Sequence, residues 1–450
     1  MNSQNFVDGL SKNIEDIAEY QLFGSVSKIL GMLVEVSGIE RELSIGDRCN
    51  LMPRDADPIP CEVIGFSEGN ALIMPFKPLD RVGLGCRAEV GQRKSFVSPD
   101  KSWLGRVINA MGEPLDGKGP LTGGQSHISL RNTPPAAHDR KRLGPKLDLG
   151  VKAINSFLST CQGQRMGIFS GSGVGKSVLM SMLARYTAAE VSVIGLIGER
   201  GREVKEFLED DLGVEGLKKS VVIVSTSDES PLMRRQGAYT TMAVAEYFRD
   251  QGNQVLTVMD SITRFAMAQR EIGLSAGEPP TSKGYPPTTF SELARLLERA
   301  GPGVKDVGDI TAFFSVLVEG DDHNEPIADA VRGIIDGHIV LTRAIADRGR
   351  YPAIDVLRSI SRSMPRCLTS EQAELVKRGR EIMSIYEDMA ELIRLGAYRK
   401  GSDPKVDKAI EIYPHLEEFL SQRPNEQVSL EEGYRQLAKI LDKKEDEVDG

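Results

Sequence analysis

The sequence has few cysteines and lacks long apolar runs. Its 450 residues contain five cysteines, with no Cys-x-x-Cys pair and no histidine at ligand spacing. This pattern indicates reduced, packed thiols of a cytoplasmic protein instead of disulfides or structural zinc. No apolar run approaches the ~20 residues of a membrane helix, and no secretory signal is recognisable. The cysteines are Cys49, Cys61, Cys86, Cys161 and Cys367.

An excess of positive charge is also missing. The 56 Lys and Arg residues stand against 65 Asp and Glu residues, which gives a formal net charge of −9. This balance disfavours a bulk electrostatic hold on nucleic acid or anionic lipid, and no nucleic-acid partner is expected. The hydrophobic content of 40% is typical of a soluble globular protein. The length predicts two to four domains, since domains of roughly 100–200 residues are usual.

The first 21 residues carry apolar side chains at helical spacing, among mostly polar or acidic positions. Two interpretations stay open: a helix that folds onto its own domain, or an amphipathic docking helix for a partner. A membrane-surface helix is less favoured, because such helices usually have a basic polar face. The apolar positions are Phe6, Leu10, Ile14 and Ile17.

Residues 22–95 consist of short β-type runs separated by turns, which predicts a small antiparallel β-barrel. Such barrels can bind nucleic acid, but residues 21–95 contain nine basic and ten acidic side chains and only three scattered aromatic residues. A structural or oligomerisation role is therefore favoured over a nucleic-acid groove. The runs begin at Gly24, Met32, Cys61 and Ala71.

Beyond a Gly- and Pro-rich lead-in, β-branched runs alternate with amphipathic helices from Gly150 to about Ile345. This alternation predicts an α/β domain over 96–368, with a largely parallel, buried sheet. Helical patterns alone follow, which predicts a helical C-terminal domain over 369–441. The tail 442–450 is too charged to pack.

The strongest single signal is a glycine-rich phosphate loop. The apolar strand Met166–Phe169 leads into Ser170-Gly-Ser-Gly-Val-Gly-Lys-Ser177, and a helical run begins at Val178. In such a loop, backbone N–H groups and the helix dipole hold phosphate oxygens, the lysine reaches the β- and γ-phosphates, and the serine hydroxyl can ligate Mg²⁺. The sequence thus predicts Mg-ATP binding by Gly171, Ser172, Gly173, Val174, Gly175, Lys176, Ser177 and Val178.

Two acids follow further buried strands. Glu199 follows the apolar run Val191–Ile197 and one glycine, Gly198. It can polarise the attacking water if its strand neighbours the loop strand. Asp260 ends the run Gln254–Met259 and is predicted to hold Mg²⁺. Arg200, next to Glu199, is a further catalytic candidate, and Arg264 could stabilise Glu199 or a phosphate.

Several segments carry a family resemblance. Gly198-Glu-Arg-Gly-Arg-Glu, Asp260-Ser-Ile-Thr-Arg-Phe and Tyr351-Pro-Ala-Ile-Asp-Val-Leu-Arg-Ser-Ile-Ser-Arg362 resemble the core motifs of rotary ATP synthase α/β subunits. The phosphate loop, the run after Arg264 and Leu392-Ile-Arg-Leu-Gly-Ala-Tyr398 are closer to the type III protein-export ATPases, the flagellar export ATPase most of all. The resemblance covers about residues 22–440 and implies a RecA-like P-loop ATPase core.

The resemblance also implies roles for single residues. Lys176 and Glu199 match catalytic positions, and Ser177 and Asp260 match the Mg²⁺ positions. Tyr351 matches the ring that packs on adenine, whose π-face suits it. Arg362 matches the arginine finger, which reaches the γ-phosphate of a neighbouring subunit.

An assembly and its partners are implied as well. The family forms a homohexamer at the cytoplasmic side of the inner-membrane export apparatus, and such a ring completes every site from identical subunits. The implied partners are a regulator at the N-terminal helix, a coiled-coil stalk-like protein in the pore, export chaperones and the membrane export gate.

Two departures limit the resemblance. Ser170 replaces the usual opening glycine of the loop, and the acidic Asp-Glu-Leu-Ser-Glu-Glu-Asp segment of the ATP synthase catalytic subunit is missing from the C-terminal helices. A rotary ATP synthase subunit is therefore the disfavoured alternative. A ring-shaped RNA-dependent motor and a non-catalytic nucleotide-binding subunit remain further alternatives.

Overall fold

The computed structural model describes residues 22–91, 95–318 and 325–442. They form two compact units, the first within Met1–Ser95 and Ile272–Glu278, the second within Phe96–Glu271 and Pro279–Gly450. The predicted helix 1–21 and tail residues 443–450 lie outside the described residues. No helix in the described ranges is long and apolar enough to span a bilayer.

The first unit contains a closed six-stranded antiparallel barrel with the strand order β1-β2-β5-β4-β3-β6. Inward-facing residues alternate with less buried ones along β2, where Val34 and Val36 are fully buried. The predicted barrel is confirmed. Its strands are β1 (Phe23–Leu30), β2 (Leu33–Ser37), β3 (Arg48–Met52), β4 (Ile59–Ser67), β5 (Asn70–Pro75) and β6 (Arg87–Val90).

The second unit is built on a nine-stranded sheet with the order β17-β16-β10-β15-β13-β11-β12-β8, and with β14 paired to β15. The pairs from β16 to β8 are parallel, and β17 is antiparallel to β16. The predicted parallel α/β core is confirmed. The strands are β7 (Phe96–Val97, paired with β9), β8 (Arg106–Asn109), β9 (Ile128–Ser129), β10 (Arg165–Ser170), β11 (Val191–Glu199), β12 (Ser220–Thr226), β13 (Gln254–Asp260), β14 (Gly301–Pro302), β15 (Asp309–Leu317), β16 (Gly337–Leu341) and β17 (Ile354–Ser361).

Both faces of this sheet are covered, because neighbouring residues of one strand contribute to different hydrophobic clusters. Val193 and Phe314 belong to one cluster, whereas Ile194 and Phe313 belong to the other. The helices around the sheet are α1 (Lys152–Phe157), α2 (Lys176–Tyr186), α3 (Gly201–Glu206) followed by a π-helical turn (Phe207–Leu212), α4 (Gly213–Lys218), α5 (Pro231–Asp250), α6 (Ile262–Ser275), α7 (Pro287–Glu298), α8 (Pro326–Ile334), α9 (Arg343–Ala346) and α10 (Met364–Cys367). Single 3₁₀ turns occur at Lys101–Trp103 and Ser282–Gly284.

Three helices complete the chain: α11 (Ser370–Arg394), α12 (Pro404–Leu420) and α13 (Leu430–Leu441). Thr369 and Gln372 form a capping box at the start of α11, which fixes where this helix begins. The rings of Tyr386 on α11 and Tyr413 on α12 stack 3.7 Å apart. The predicted helical C-terminal region is confirmed. Its apolar residues join the same cluster as one face of the sheet.

Candidate functional site

The predicted phosphate loop is the turn between β10 and α2. Gly173 and Gly175 have φ angles of 76° and 86°, which only glycine adopts without strain, and Gly175 caps α2. Since the first N–H groups of a helix have no intrahelical partner, this turn directs N–H groups and the positive helix end at one point. The residues predicted to contact nucleotide, 171–178, form one continuous segment from the end of β10 to the first turn of α2. Ser177 is exposed there.

Lys176 lies between two carboxylates. Its Nζ atom is 2.5 Å from Asp260 Oδ1 and 3.6 Å from Glu199 Oε1, and all three side chains are mostly buried. Burial alone would lower the pKa of Lys176, but the charges of Asp260 and Glu199 outweigh it and raise that pKa. The lysine is therefore a fixed positive charge at the mouth of the loop.

Strand order brings these groups together in a way that the sequence did not predict. The condition set on the role of Glu199, that its strand neighbours the loop strand, is not met, because β15 and β13 lie between β10 and β11. Glu199 still reaches Lys176, since parallel strands end at one edge. Register explains the reach: Leu196 pairs with Asp260, so β11 continues three residues beyond the end of β13.

Asp260 is fixed by its neighbours on both sides. Besides Lys176, the Ser315 hydroxyl of β15 donates a hydrogen bond of 2.6 Å to the same oxygen, Oδ1. Asp260 is only 3% exposed. The Asp260 carboxylate and the hydroxyl of Ser177, the residue after Lys176, are hard oxygen donors, the type that Mg²⁺ prefers, so the two residues fit a magnesium site.

Glu199 is the perturbed acid of the site. Burial raises its pKa to about 7, assisted by the charge of Asp260 and by a hydrogen bond with Glu203, while Lys176 opposes the shift. A carboxyl group with a pKa near neutrality suits proton handling at physiological pH. Glu203 therefore helps to keep the pKa of Glu199 high.

Tyr351 packs directly on the loop. Its ring is so close to Gly175 that a Cβ atom there would lie 3.2 Å from Tyr351 Cδ1. The ring is still 44% exposed, which leaves surface for a ligand. Arg343, which the sequence analysis missed, donates a 2.7 Å hydrogen bond to the Ser172 carbonyl of the loop. Its contact is with a backbone atom, so no residue pattern could have indicated it.

Arg362 lies far from the loop of its own chain. It follows β17, whose last residue Ser361 pairs with Gly337 at the start of β16. The loop is at the other edge, where Ser170 pairs with Leu341. Among the described residues, the exposed Arg362 guanidinium donates two hydrogen bonds, both long, of 3.3 and 3.4 Å, to the carbonyls of residues 335 and 332.

Arg200 and Arg264, the other two arginines predicted from the sequence, differ in their surroundings. The Arg200 side chain is 80% exposed and lies 3.5 Å from Glu203, so the structure does not bring it into the Lys176 cluster. Arg264 packs over Gly198, where a Cβ atom would be 2.7 Å from Arg264 Cβ. This contact needs glycine at residue 198 and brings Arg264 beside the residue that precedes Glu199.

Comparisons with known proteins give consistent family matches. Residues 150–361 match the model of the ATP synthase alpha/beta family nucleotide-binding domain, and residues 368–439 match that of the T3SS EscN ATPase C-terminal domain. The flagellum-specific ATP synthase of Caulobacter vibrioides is 55% identical and covers 95% of this chain and 98% of its own length. The Bacillus subtilis protein of the same name is 47% identical, and the match covers 99% of this chain and 100% of that protein.

Solved structures give the same result. The assembled ATPase EscN from the enteropathogenic E. coli type III secretion system superimposes with a TM-score of 0.86 at 37% identity, covering 93% of this chain and 100% of EscN. EscN in complex with its central stalk EscO superimposes with a TM-score of 0.84 at 38% identity, with the same coverage of both chains.

Proposed function

The chain belongs to the type III and flagellar protein-export ATPases of the ATP synthase α/β family, and we propose that it hydrolyses Mg-ATP at sites shared between neighbouring copies of a homohexameric ring. That it is an ATP-hydrolysing enzyme follows from the family itself. The C-terminal match to an export ATPase disfavours a rotary ATP synthase subunit. What we propose beyond the family is the assignment of residues, metal, assembly and partners.

Lys176 and the loop N–H groups would hold the β- and γ-phosphates. Ser177 and Asp260 would hold Mg²⁺, which supplies positive charge against the phosphate oxygens when it is bound. The buried position of Asp260 and its hydrogen bond from Ser315 keep this carboxylate in one orientation. The exposed face of Tyr351 would stack on adenine.

Glu199 would orient and polarise the attacking water. Its carboxylate lies beside Lys176, the group that marks the terminal phosphate, at the edge where β10, β13 and β11 all end. Its raised pKa lets it accept a proton near neutral pH. Charged groups that are already in position account for much of the rate acceleration in enzymatic phosphoryl transfer.

The position of Arg362 is the observation that supports a shared site. β17 contains eight residues and runs from the loop edge to the opposite edge, a length of about 23 Å at ~3.3 Å per residue. Arg362 therefore cannot reach the phosphates of its own chain. A head-to-tail contact between copies brings this edge to a neighbouring loop, and such heterologous contacts close into rings.

The family also suggests where the ring works. EscN has been solved with its central stalk, which supports a coiled-coil stalk-like protein in the pore of this ring too. We extend the proposal to an export regulator at residues 1–21, to export chaperones and to the membrane export gate. The ring would then serve flagellar protein export as a cytoplasmic protein, peripheral at the inner membrane.

Mixing two inactive variants tests the shared site. Glu199→Gln and Arg362→Ala subunits are each expected to assemble but to hydrolyse ATP slowly, with losses of roughly 10²–10⁴-fold. In a random mixture, about one quarter of the interfaces combine an intact Glu199 with a neighbour's intact Arg362, so activity should recover toward that fraction. Arg358→Ala, an exposed arginine of the same strand, is the matched control and should retain wild-type activity. A mixture as inactive as its components would refute the proposal.

A further inference from the structure

The chain contains two adjacent thiol pairs with different surroundings. Cys49 and Cys61 pair across β3 and β4 inside the barrel, and both are buried. Burial raises the pKa of Cys61 well above its usual range, and the neighbouring Cys49 thiol adds to the effect. A buried thiol with a raised pKa, such as Cys61, is unreactive toward electrophiles.

The second pair lies in the α/β unit. Cys161 is in the turn before β10, and Cys367 is the last residue of α10. The two thiols share a hydrogen bond, although they are 206 positions apart in the sequence. Cys161 is buried, whereas Cys367 is half-buried, and both line one cavity of about 650 Å³.

The two thiols of this pair have different acidities. The hydrogen bond from Cys161 lowers the pKa of Cys367 to about 7, and the positive charge of Lys146 adds to the effect. The same hydrogen bond, together with burial, raises the pKa of Cys161. Lys146 is held in place by a 2.5 Å hydrogen bond to Gln372. Near neutral pH, Cys367 is thus substantially thiolate, the nucleophilic form, and Cys161 remains a thiol.

The cavity indicates which reagents can reach Cys367. Two of its lining side chains are arginines, Arg142 and Arg366, and none of the described residues that line it is acidic. Its volume is large enough for a ligand of several residues, since small-molecule sites have about 300–1,000 Å³. A small disulfide that carries carboxylates fits this combination of size, charge and reactive sulfur.

We propose that Cys161 and Cys367 form a reversible dithiol switch that small, carboxylate-bearing disulfides oxidise and that slows ATP hydrolysis when it is oxidised. The Cys367 thiolate attacks one sulfur of the reagent, a mixed disulfide forms, and one reagent thiolate leaves. Cys161 then loses its proton to solvent and attacks Cys367 Sγ, which releases the second half. The two thiols lose two electrons and two protons, and the reagent is reduced to two thiols.

The expected effect on turnover comes from what the new bond connects, and it rests on the proposed role of Arg362. That residue is two positions before α10, and Ser363 between them lines the cavity. A disulfide from α10 to the turn before β10 ties the arginine-bearing segment to the start of the loop strand of the same chain. The arginine then loses freedom to move toward the neighbouring site.

Oxidised glutathione is a suitable probe for the assembled protein. Intact-mass and peptide-mass measurements should show the loss of two hydrogen atoms, confined to the peptides of Cys161 and Cys367. The ATPase rate should fall roughly threefold or more and recover with dithiothreitol. Cys161→Ser should stop at one glutathione on Cys367, and Cys367→Ser should resist both modification and inhibition. The buried thiols Cys49 and Cys61 of the same chain serve as internal controls.

Three results would overturn the proposal: Cys367 reacting no faster than Cys49, a Cys161→Ser variant that fails to retain glutathione on Cys367, or full oxidation without loss of rate. Arg362→Ala separates this proposal from the proposed function. Its residual rate should not change on oxidation. If that variant instead hydrolyses ATP as fast as wild type, the shared site has failed, while the mass measurements still decide the thiol chemistry.

Discussion

Replacing Glu199 by glutamine should stabilise the nucleotide-free protein at alkaline pH while removing its turnover. The change keeps the shape of the side chain and leaves Lys176 paired with Asp260 at 2.5 Å, so no lysine is left without a partner. What disappears is a carboxyl group that burial and nearby acids make costly to ionise. Active-site groups commonly destabilise the fold in this way, because they are arranged for chemistry.

The size of the effect follows from the shifted pKa. Folding raises the pKa of Glu199 from 4.5 to about 7, and each pKa unit corresponds to about 1.4 kcal/mol. A raised folded-state pKa gives stability at low pH that is lost as the pH rises through the folded-state value. The wild-type penalty is therefore about 1.4 kcal/mol near pH ~5.5 and about 3 kcal/mol near pH ~8, relative to a group that does not titrate.

Urea denaturation followed by tryptophan fluorescence measures this difference. The chain has one tryptophan, Trp103, which is buried in the same unit as the site. The free energy of unfolding of Glu199→Gln, minus that of wild type, should increase by about 2 kcal/mol from pH ~5.5 to pH ~8. Nucleotide must be removed first, because its phosphates change the charges around Glu199.

Glu209→Gln is the matched control. Glu209 is exposed and lies 3.9 Å from Lys205 on the surface, a pair of the kind that contributes little. That variant should differ from wild type by no more than about 0.5 kcal/mol at either pH. If Glu199→Gln shows the same difference at both pH values, or a smaller one at high pH, the raised pKa of Glu199 is refuted.

Two further predictions concern catalysis and binding. The ratio kcat/KM should fall up to about tenfold per pH unit below pH ~7, as Glu199 becomes protonated. Glu203→Gln should move this inflection to lower pH, because Glu203 raises the pKa of Glu199. An inflection at the same pH in both proteins would contradict the assignment of the inflection to Glu199. Arg343→Ala should weaken ADP and ATP binding by roughly tenfold or more, since its hydrogen bond orients the Ser172–Gly173 peptide of the loop. Adenosine binding, measured by calorimetry, should be unaffected, and exposed Arg348→Ala is the control.

Local chemistry made the phosphate loop predictable. Glycines, a lysine and a serine between an apolar strand and a helix have few other uses, and the structure has this turn in place. In the barrel, only four strand-like runs were recognised from the sequence. The strands Arg48–Met52 and Arg87–Val90 were not, because they are short and alternate a few apolar residues with polar ones. Closure of the barrel, a tertiary property, makes them strands.

Spatial order was the part that the sequence could not give. The predicted role of Glu199 depends on the condition that its strand neighbours the loop strand; this condition is not met, yet the Glu199 carboxylate lies 3.6 Å from Lys176 Nζ. Glu199 and Lys176 meet despite the order of the strands in the sheet, because every parallel strand ends at the same edge. Arg200 shows the reverse case: it is adjacent in sequence to Glu199, yet the start of α3 turns it to the surface.

The direction of a single strand decides whether the proposed site can be completed within one chain. Because β17 is antiparallel to β16, Tyr351 before it lies at the loop edge and Arg362 after it lies at the opposite edge. Had β17 been parallel to β16, the residue after it would lie beside the chain's own phosphates, and a monomer could supply every group. An antiparallel edge strand instead separates Tyr351, the residue proposed to stack on adenine, from Arg362 by the height of the sheet. On the proposed shared site, fast hydrolysis requires assembly into a ring, and dilution to monomers should lower the rate per subunit as Arg362→Ala should.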